Sequence, residues 1–181
     1  MALVEAAIAT PLFLLVLIGV FEFGLAFRDY LTLSSATRAA ARSASVSGST
    51  AYADYQILQA IKSNSAAMND SATITSIAVY KATGPSSTLA NTGNSGCLVA
   101  SSSTCNRYTA ADLNRVKTDF GCGGSSPDRF WCPTMRKDRL SGPPDFVGVS
   151  IKVTHQNATG MLGNTRSFSD EVVMRIEPTA L

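Results

Sequence analysis

The sequence predicts an α+β protein. A long N-terminal hydrophobic α-helix leads to a small globular head with a second helix and a three-stranded antiparallel sheet, plus a disulfide-bearing loop insertion. Three observations carry this prediction. Residues 1–27 contain two charges, Glu5 and Glu22, and are otherwise almost entirely apolar. Later segments alternate apolar and polar residues and are rich in β-branched side chains, the pattern of half-buried strands. All four cysteines lie between positions 97 and 132, in a stretch rich in Gly and Ser. The 181 residues are 45% hydrophobic and 15% charged, with a net charge of +2. That fits one modest domain with an extension. It excludes a disordered acidic or basic chain and gives no electrostatic footprint for nucleic acid.

The first element is the helix. Ala6–Phe21 carries no charge. From Ala6 to Phe27 a helix rises roughly 33 Å, against about 30 Å for a bilayer hydrocarbon core. The next stretch, RDYLTLSSATRAAARSASV, has no Gly or Pro and favours helix. One helix from about residue 2 to 46, roughly 65–70 Å long, is therefore predicted. Its Ala/Ser-rich outer half allows a neighbour to pack closely. Pro11 removes the amide that would bond the Ala7 carbonyl, which predicts a kink or loosening at residues 7–11. A cleaved signal peptide needs a basic start, and no Lys or Arg precedes Arg28. Glu5 is costly in a plain anchor unless it reaches the headgroup layer or finds a cation. The nearest cation is a free amino terminus, its own or a neighbour's.

The division is residues 1–46 for the helix and 47–181 for the head, with an insertion at 83–145. Residues 47–51, SGSTA, break the first helix. Residues 52–68 place Ile57, Leu58, Ile61 and Met68 on one helical face. Thr73–Ala82 reads as a strand. Residues 83–104 read as a surface loop, and 109–120 as a helix capped by Thr109. Phe146–Gln156 and Arg166–Glu177 read as two further strands joined by a loop of hairpin length. Lys152, Thr154, Ser169 and Arg175 mark a solvated sheet face.

Cys97, Cys105, Cys122 and Cys132 form no C-x-x-C pair, and their spacings do not fit a zinc ribbon. An even count in a loop-rich region reads as two disulfides and an oxidising compartment. Three connectivities exist. The local one, Cys97–Cys105 with Cys122–Cys132, is favoured, each loop contributing roughly 2–3 kcal/mol. No catalytic, cofactor or metal residues are predicted. His155 is the only histidine and reads as an exposed or hydrogen-bonded strand residue. Gly121–Gly124 lacks the Lys-Ser/Thr of a phosphate loop. The most recognition-like patch is Arg129, Trp131 and Arg136, a candidate surface contact. The alternative is that Trp131 packs beneath Cys132 in a small core cluster.

Ala2-Leu3-Val4-Glu5, Pro11 and Glu22-Phe23-Gly24 together resemble the start of a mature Tad-type pilin, the TadE-like branch of the type IV pilin superfamily. The resemblance covers the first quarter of the chain. It implies a precursor with a basic leader, cut by a prepilin peptidase so that Met1 is the processed, N-methylated terminus. It implies that Glu5 pairs with the amino group of an adjacent subunit, and that Met1, Glu5, Pro11 and Glu22 serve filament assembly. Loss of a basic leader also removes the topological conflict posed by Arg28, Arg38 and Arg42, which alone would place the head in the cytoplasm.

The function implied is a structural subunit of an extracellular Tad-type pilus that polymerises through its N-terminal helix for adhesion or surface attachment. The partners implied are identical subunits in a helical homopolymer, the inner membrane before assembly, the prepilin peptidase and the pilus assembly machinery. No nucleic acid partner is expected. The alternatives are a minor or tip pilin, a pseudopilin of a secretion system, or a membrane-anchored envelope binding protein.

Overall fold

The computed structural model describes residues 2–90, 97, 104–138, 142–160 and 163–177. Met1 lies outside the described residues. The first helix, α1, is Ala2–Ser47 and runs unbroken through Pro11. The loosening predicted there does not interrupt it. Just before the proline, the Thr10 hydroxyl donates to the Ala6 carbonyl at 2.7 Å.

Only the second half of α1 packs against the head. Glu22, Ala26, Asp29, Leu33, Ala36, Ala40 and Ala44 are buried, at steps of three and four that form one helical face. Small alanines let the head come close. At its far end the Ser45 hydroxyl donates to the Arg175 carbonyl at 2.6 Å, and the Glu177 amide donates to the Ser45 carbonyl at 2.9 Å.

The second helix, α2, is Ala53–Ser65, followed by a 3-10 stretch at Ala66–Ser71. It buries Ile57, Leu58 and Ile61, as its pattern predicts. The strands are β1 (Ala72–Ala82), β2 (Cys105–Tyr108), β3 (Phe146–Gln156) and β4 (Thr165–Arg175). They form one antiparallel sheet in the order β2-β1-β3-β4. The three predicted strands are β1, β3 and β4. The fourth, β2, is four residues long and extends the sheet along the outer edge of β1.

The predicted helix at 109–120 is instead two short 3-10 turns, Ala110–Asn114 and Lys117–Asp119, separated by extended Arg115 and Val116. Thr109 does cap the first turn. The Asp112 carboxylate accepts from the Thr109 amide and hydroxyl and from Arg115 Nε, at 2.7, 2.9 and 2.5 Å. These bonds close a single turn on itself, so the helix does not propagate.

One sheet face meets α1 and α2 through Ile74, Ile77, Val79, Val147, Val149, Ile151 and Val153. A register shift between Ile74 and Ser76 keeps Ile74 and Ile77 on this same side. On the other face, Lys152, Ser169 and Arg175 are exposed as predicted. Part of that face is nevertheless covered. Ala78, Tyr80, Ala82, Cys97 and Cys105 form a second cluster with Leu89, Phe146 and Val173. Tyr80 lies over its cross-strand partner Gly148, where a Cβ would stand 2.1 Å from the ring Cζ. Its hydroxyl donates to the Glu171 carboxylate, which also accepts from the Leu89 amide. Burial, and then this carboxylate, push the Tyr80 phenol well above its usual value.

Candidate functional site: an apolar half-helix and the acids along it

The first half of α1 projects beyond the head. Val4, Ile8, Leu12, Phe13, Leu14, Leu15, Val16, Leu17, Val20 and Phe21 are between 47% and 67% exposed. The stretch is long and apolar enough to cross a membrane. From Ala2 to Glu22 the helix rises about 30 Å, the thickness of a hydrocarbon core. Glu5 sits in its first turn, exposed, with no hydrogen bond or ion pair among the described residues. An acid there complements the positive end of the helix dipole.

Glu22 ends the projecting half, and its side chain turns inward. The carboxylate accepts from the Ala158 amide at 3.1 Å, the Thr159 amide at 2.5 Å and the Thr159 hydroxyl at 2.7 Å. Ala158 and Thr159 lie in the loop between β3 and β4. Three donors compensate the desolvation of a charge on an apolar helix. Glu22, expected in filament assembly, is thus fully engaged within its own chain.

Two turns further, Asp29 does the same with other elements. Its Oδ2 accepts from His155 Nδ1 at 2.8 Å and from the Ser71 hydroxyl at 2.9 Å, and Arg28 approaches Oδ1 at 3.3 Å. Both Asp29 and His155 are fully buried. A carboxylate only accepts, so Nδ1 carries the proton. His155 is therefore a hydrogen-bonded residue on the core side of β3, one of the two forms expected for it. Glu22 and Asp29, seven residues apart on one face, fasten the base of the head to the helix.

A second buried network closes the opposite end. Asp54, near the start of α2, accepts from Arg136 at 2.6 Å, Tyr108 at 2.6 Å and Asn106 at 2.7 Å. Asn106 and the Trp131 backbone exchange two bonds of 2.8 Å. The Arg136 guanidinium stacks 4.2 Å from the Trp131 ring. Burial, and then the Asp54 charge, push the Tyr108 phenol well above its usual value.

Trp131 and Arg136 are corrected as candidate surface contacts, since they are 5% and 3% exposed, and Trp131 lies in the core cluster as its alternative reading has it. They fasten the insertion to α2, because the buried Arg136 guanidinium is compensated there by the Asp54 carboxylate. Arg129 is exposed and stacks 4.2 Å over the Phe130 ring. The disulfides are Cys97–Cys105 and Cys122–Cys132, the favoured local pairing. Asp128 accepts from the Gly121 and Cys122 amides at 2.9 and 3.1 Å, holding Cys122 at a φ of 65° beside its bridge. Among the described residues no cluster of His, Cys, Asp or Glu could hold a metal.

The projecting apolar half, the acid in its first turn and the engaged Glu22 all fall in one segment. Residues 1–42 match the TadE family, described as TadE-like protein. The match ends inside α1 and so covers the helix and not the head. No curated protein and no solved structure matches the chain. Asp29, Asp54 and His155 were not picked out as site residues from sequence. A signal existed for Asp29: it is the next acid after Glu22, at a spacing of two helical turns.

Proposed function

We propose that this chain is a structural subunit of an extracellular Tad-type pilus, non-enzymatic, that is held in the inner membrane by α1 before assembly and polymerises through it afterwards. The observation that carries this reading is the projecting half of the TadE-like helix. It is apolar around its circumference, no described residue of the chain covers it, and it bears one acid in its first turn. Such a surface needs lipid or other helices around it.

Moving from lipid into a bundle of like helices exchanges one apolar environment for another, so apolar contact gives little drive. Close packing at small residues and satisfaction of Glu5 by a neighbour's amino group would then set the register. The two disulfides suit an oxidising compartment, with the head on the outer side of the membrane. A prepilin peptidase and an assembly machine are the partners this reading requires, and attachment to surfaces is the use it suggests.

The test is Glu5→Leu and Glu5→Ala in cells that make the filament. Both variants are expected to remain in the membrane fraction and to give no filaments. Normal piliation by either would overturn the pairing role of Glu5.

A further inference from the structure

We propose that the base of the head is a membrane-docking surface, a belt around the exit of α1 that seats on an anionic phospholipid headgroup layer. The proposal rests on the membrane-anchored reading above and adds a contact that α1 alone does not require.

The two acids on α1 determine which residues share this belt. Glu22 holds the β3–β4 loop at Ala158 and Thr159, and Asp29 holds His155. His155 pairs in register with Arg166 on β4, and Phe168 meets the Tyr30 ring edge-on with centroids 6.1 Å apart. Phe23, Phe27, Arg28, Tyr30, the loop residues and Arg166 therefore lie level with residues 22–30 of α1. That is a band about 12 Å tall, directly above the apolar span.

The chemistry of the band is that of a bilayer interface. Phe23, Phe27 and Tyr30 are 66%, 51% and 40% exposed, and the two phenylalanine rings stack at 6.2 Å. An exposed tyrosine such as Tyr30 at the end of a span matches the headgroup level, and the two phenylalanine rings add apolar contact beside it. Arg28 and Arg166 are exposed at the same height. Arg28 is met by the Asp29 carboxylate at 3.3 Å, and Glu22 is buried against the β3–β4 loop, which leaves Arg166 without an ion pair among the described residues. The loop presents Ala158, Thr159, Gly160, Gly163 and Asn164, exposed and uncharged. Arg166 is thus the exposed cation where the head meets lipid, and a basic residue near an anionic surface draws it in.

The experiment uses the full chain in vesicles of phosphatidylcholine with phosphatidylglycerol. Asn164→Cys and Ser167→Cys report on the base, and Val46→Cys on the far end of α1. The native cysteines are paired, so a membrane-impermeant maleimide reads the introduced thiol. For outward-facing molecules the two base thiols are expected to react at least about fivefold more slowly in vesicles than in detergent, with Val46→Cys unchanged. Arg166 is expected to account for about a fivefold effect. Arg166→Gln should therefore restore the rate at Asn164→Cys.

Base thiols that react equally fast in vesicles and detergent, in a chain that resists carbonate extraction, overturn the docking surface. Equal protection on pure phosphatidylcholine overturns its anionic character. Release of the chain by carbonate overturns the membrane-anchored reading, and the docking surface with it.

Discussion

Replacing Glu22 by Leu removes one of the two carboxylates that hold the base of the head to the helix. The Ala158 amide, the Thr159 amide and the Thr159 hydroxyl all donate to this carboxylate. Hydrogen bonds to a charged acceptor contribute about 1.5–3 kcal/mol each, and three that share one acceptor do not add. The loop residues are exposed, so the freed amides regain water. A net loss of about 2 kcal/mol is the result, taken from the low end of that range. At 1.4 kcal/mol per tenfold, the Ala158 and Thr159 amides should exchange with solvent about 30-fold faster in Glu22→Leu.

Hydrogen exchange on the full chain in detergent measures this, with the Val149 amide in the middle of β3 as an internal reference. Glu22→Gln keeps an acceptor oxygen without the charge and should fall between wild type and Glu22→Leu. Unchanged exchange at both amides in Glu22→Leu would refute the latch. Equal acceleration at Val149 would refute its local character.

Asp54→Ala leaves the Arg136 guanidinium buried without its counter-charge and should cost about 3–5 kcal/mol. Denaturant unfolding with the disulfides intact reads it, and Asp54→Leu with Arg136→Met should recover most of the loss. Gly148→Ala drives a methyl into the Tyr80 ring and should cost about 1–3 kcal/mol as overpacking; the same substitution in a Tyr80→Leu background should cost clearly less. Alkaline stability follows from Tyr80 and Tyr108, whose folded-state pKa values are raised above the ordinary value of 10.0. Below pH 10 both phenols are neutral folded or unfolded. Above it only the unfolded phenols ionise, so stability falls as pH rises past about 10. Phenolate absorbance should show these two tyrosines of the five titrating only with unfolding.

Much of the fold was legible because its signals are periodic. The charge-free run predicts α1, and the alternation in Phe146–Gln156 matches β3 at both ends. The strand β2 was not legible, because Cys-Asn-Arg-Tyr has no alternation and gains its place by pairing with β1. The helix expected at 109–120 failed for a related reason. Thr109 and Asp112 form a true cap, but local side-chain bonds also satisfy a single turn, and only tertiary contacts decide between them.

The site divided along the same line. Glu5 stands out because an acid is costly where it sits. Glu22 was visible for the same reason, but its partners lie 136 and 137 residues away in the chain, so its role inside the head was not. Trp131 and Arg136 looked like contact residues because buried and exposed Trp–Arg pairs read alike in sequence. The decisive residue was Asp54, whose carboxylate draws Arg136 inward.

The central claim is that this chain is a filament subunit, and the most direct measurement is the content of fibres sheared from intact cells that make it. The account predicts fibres in which this chain is a repeating component, lost on deletion of its gene and on Glu5→Leu. Fibres that persist unchanged without the chain, while the chain itself stays wholly in the membrane fraction, would contradict it.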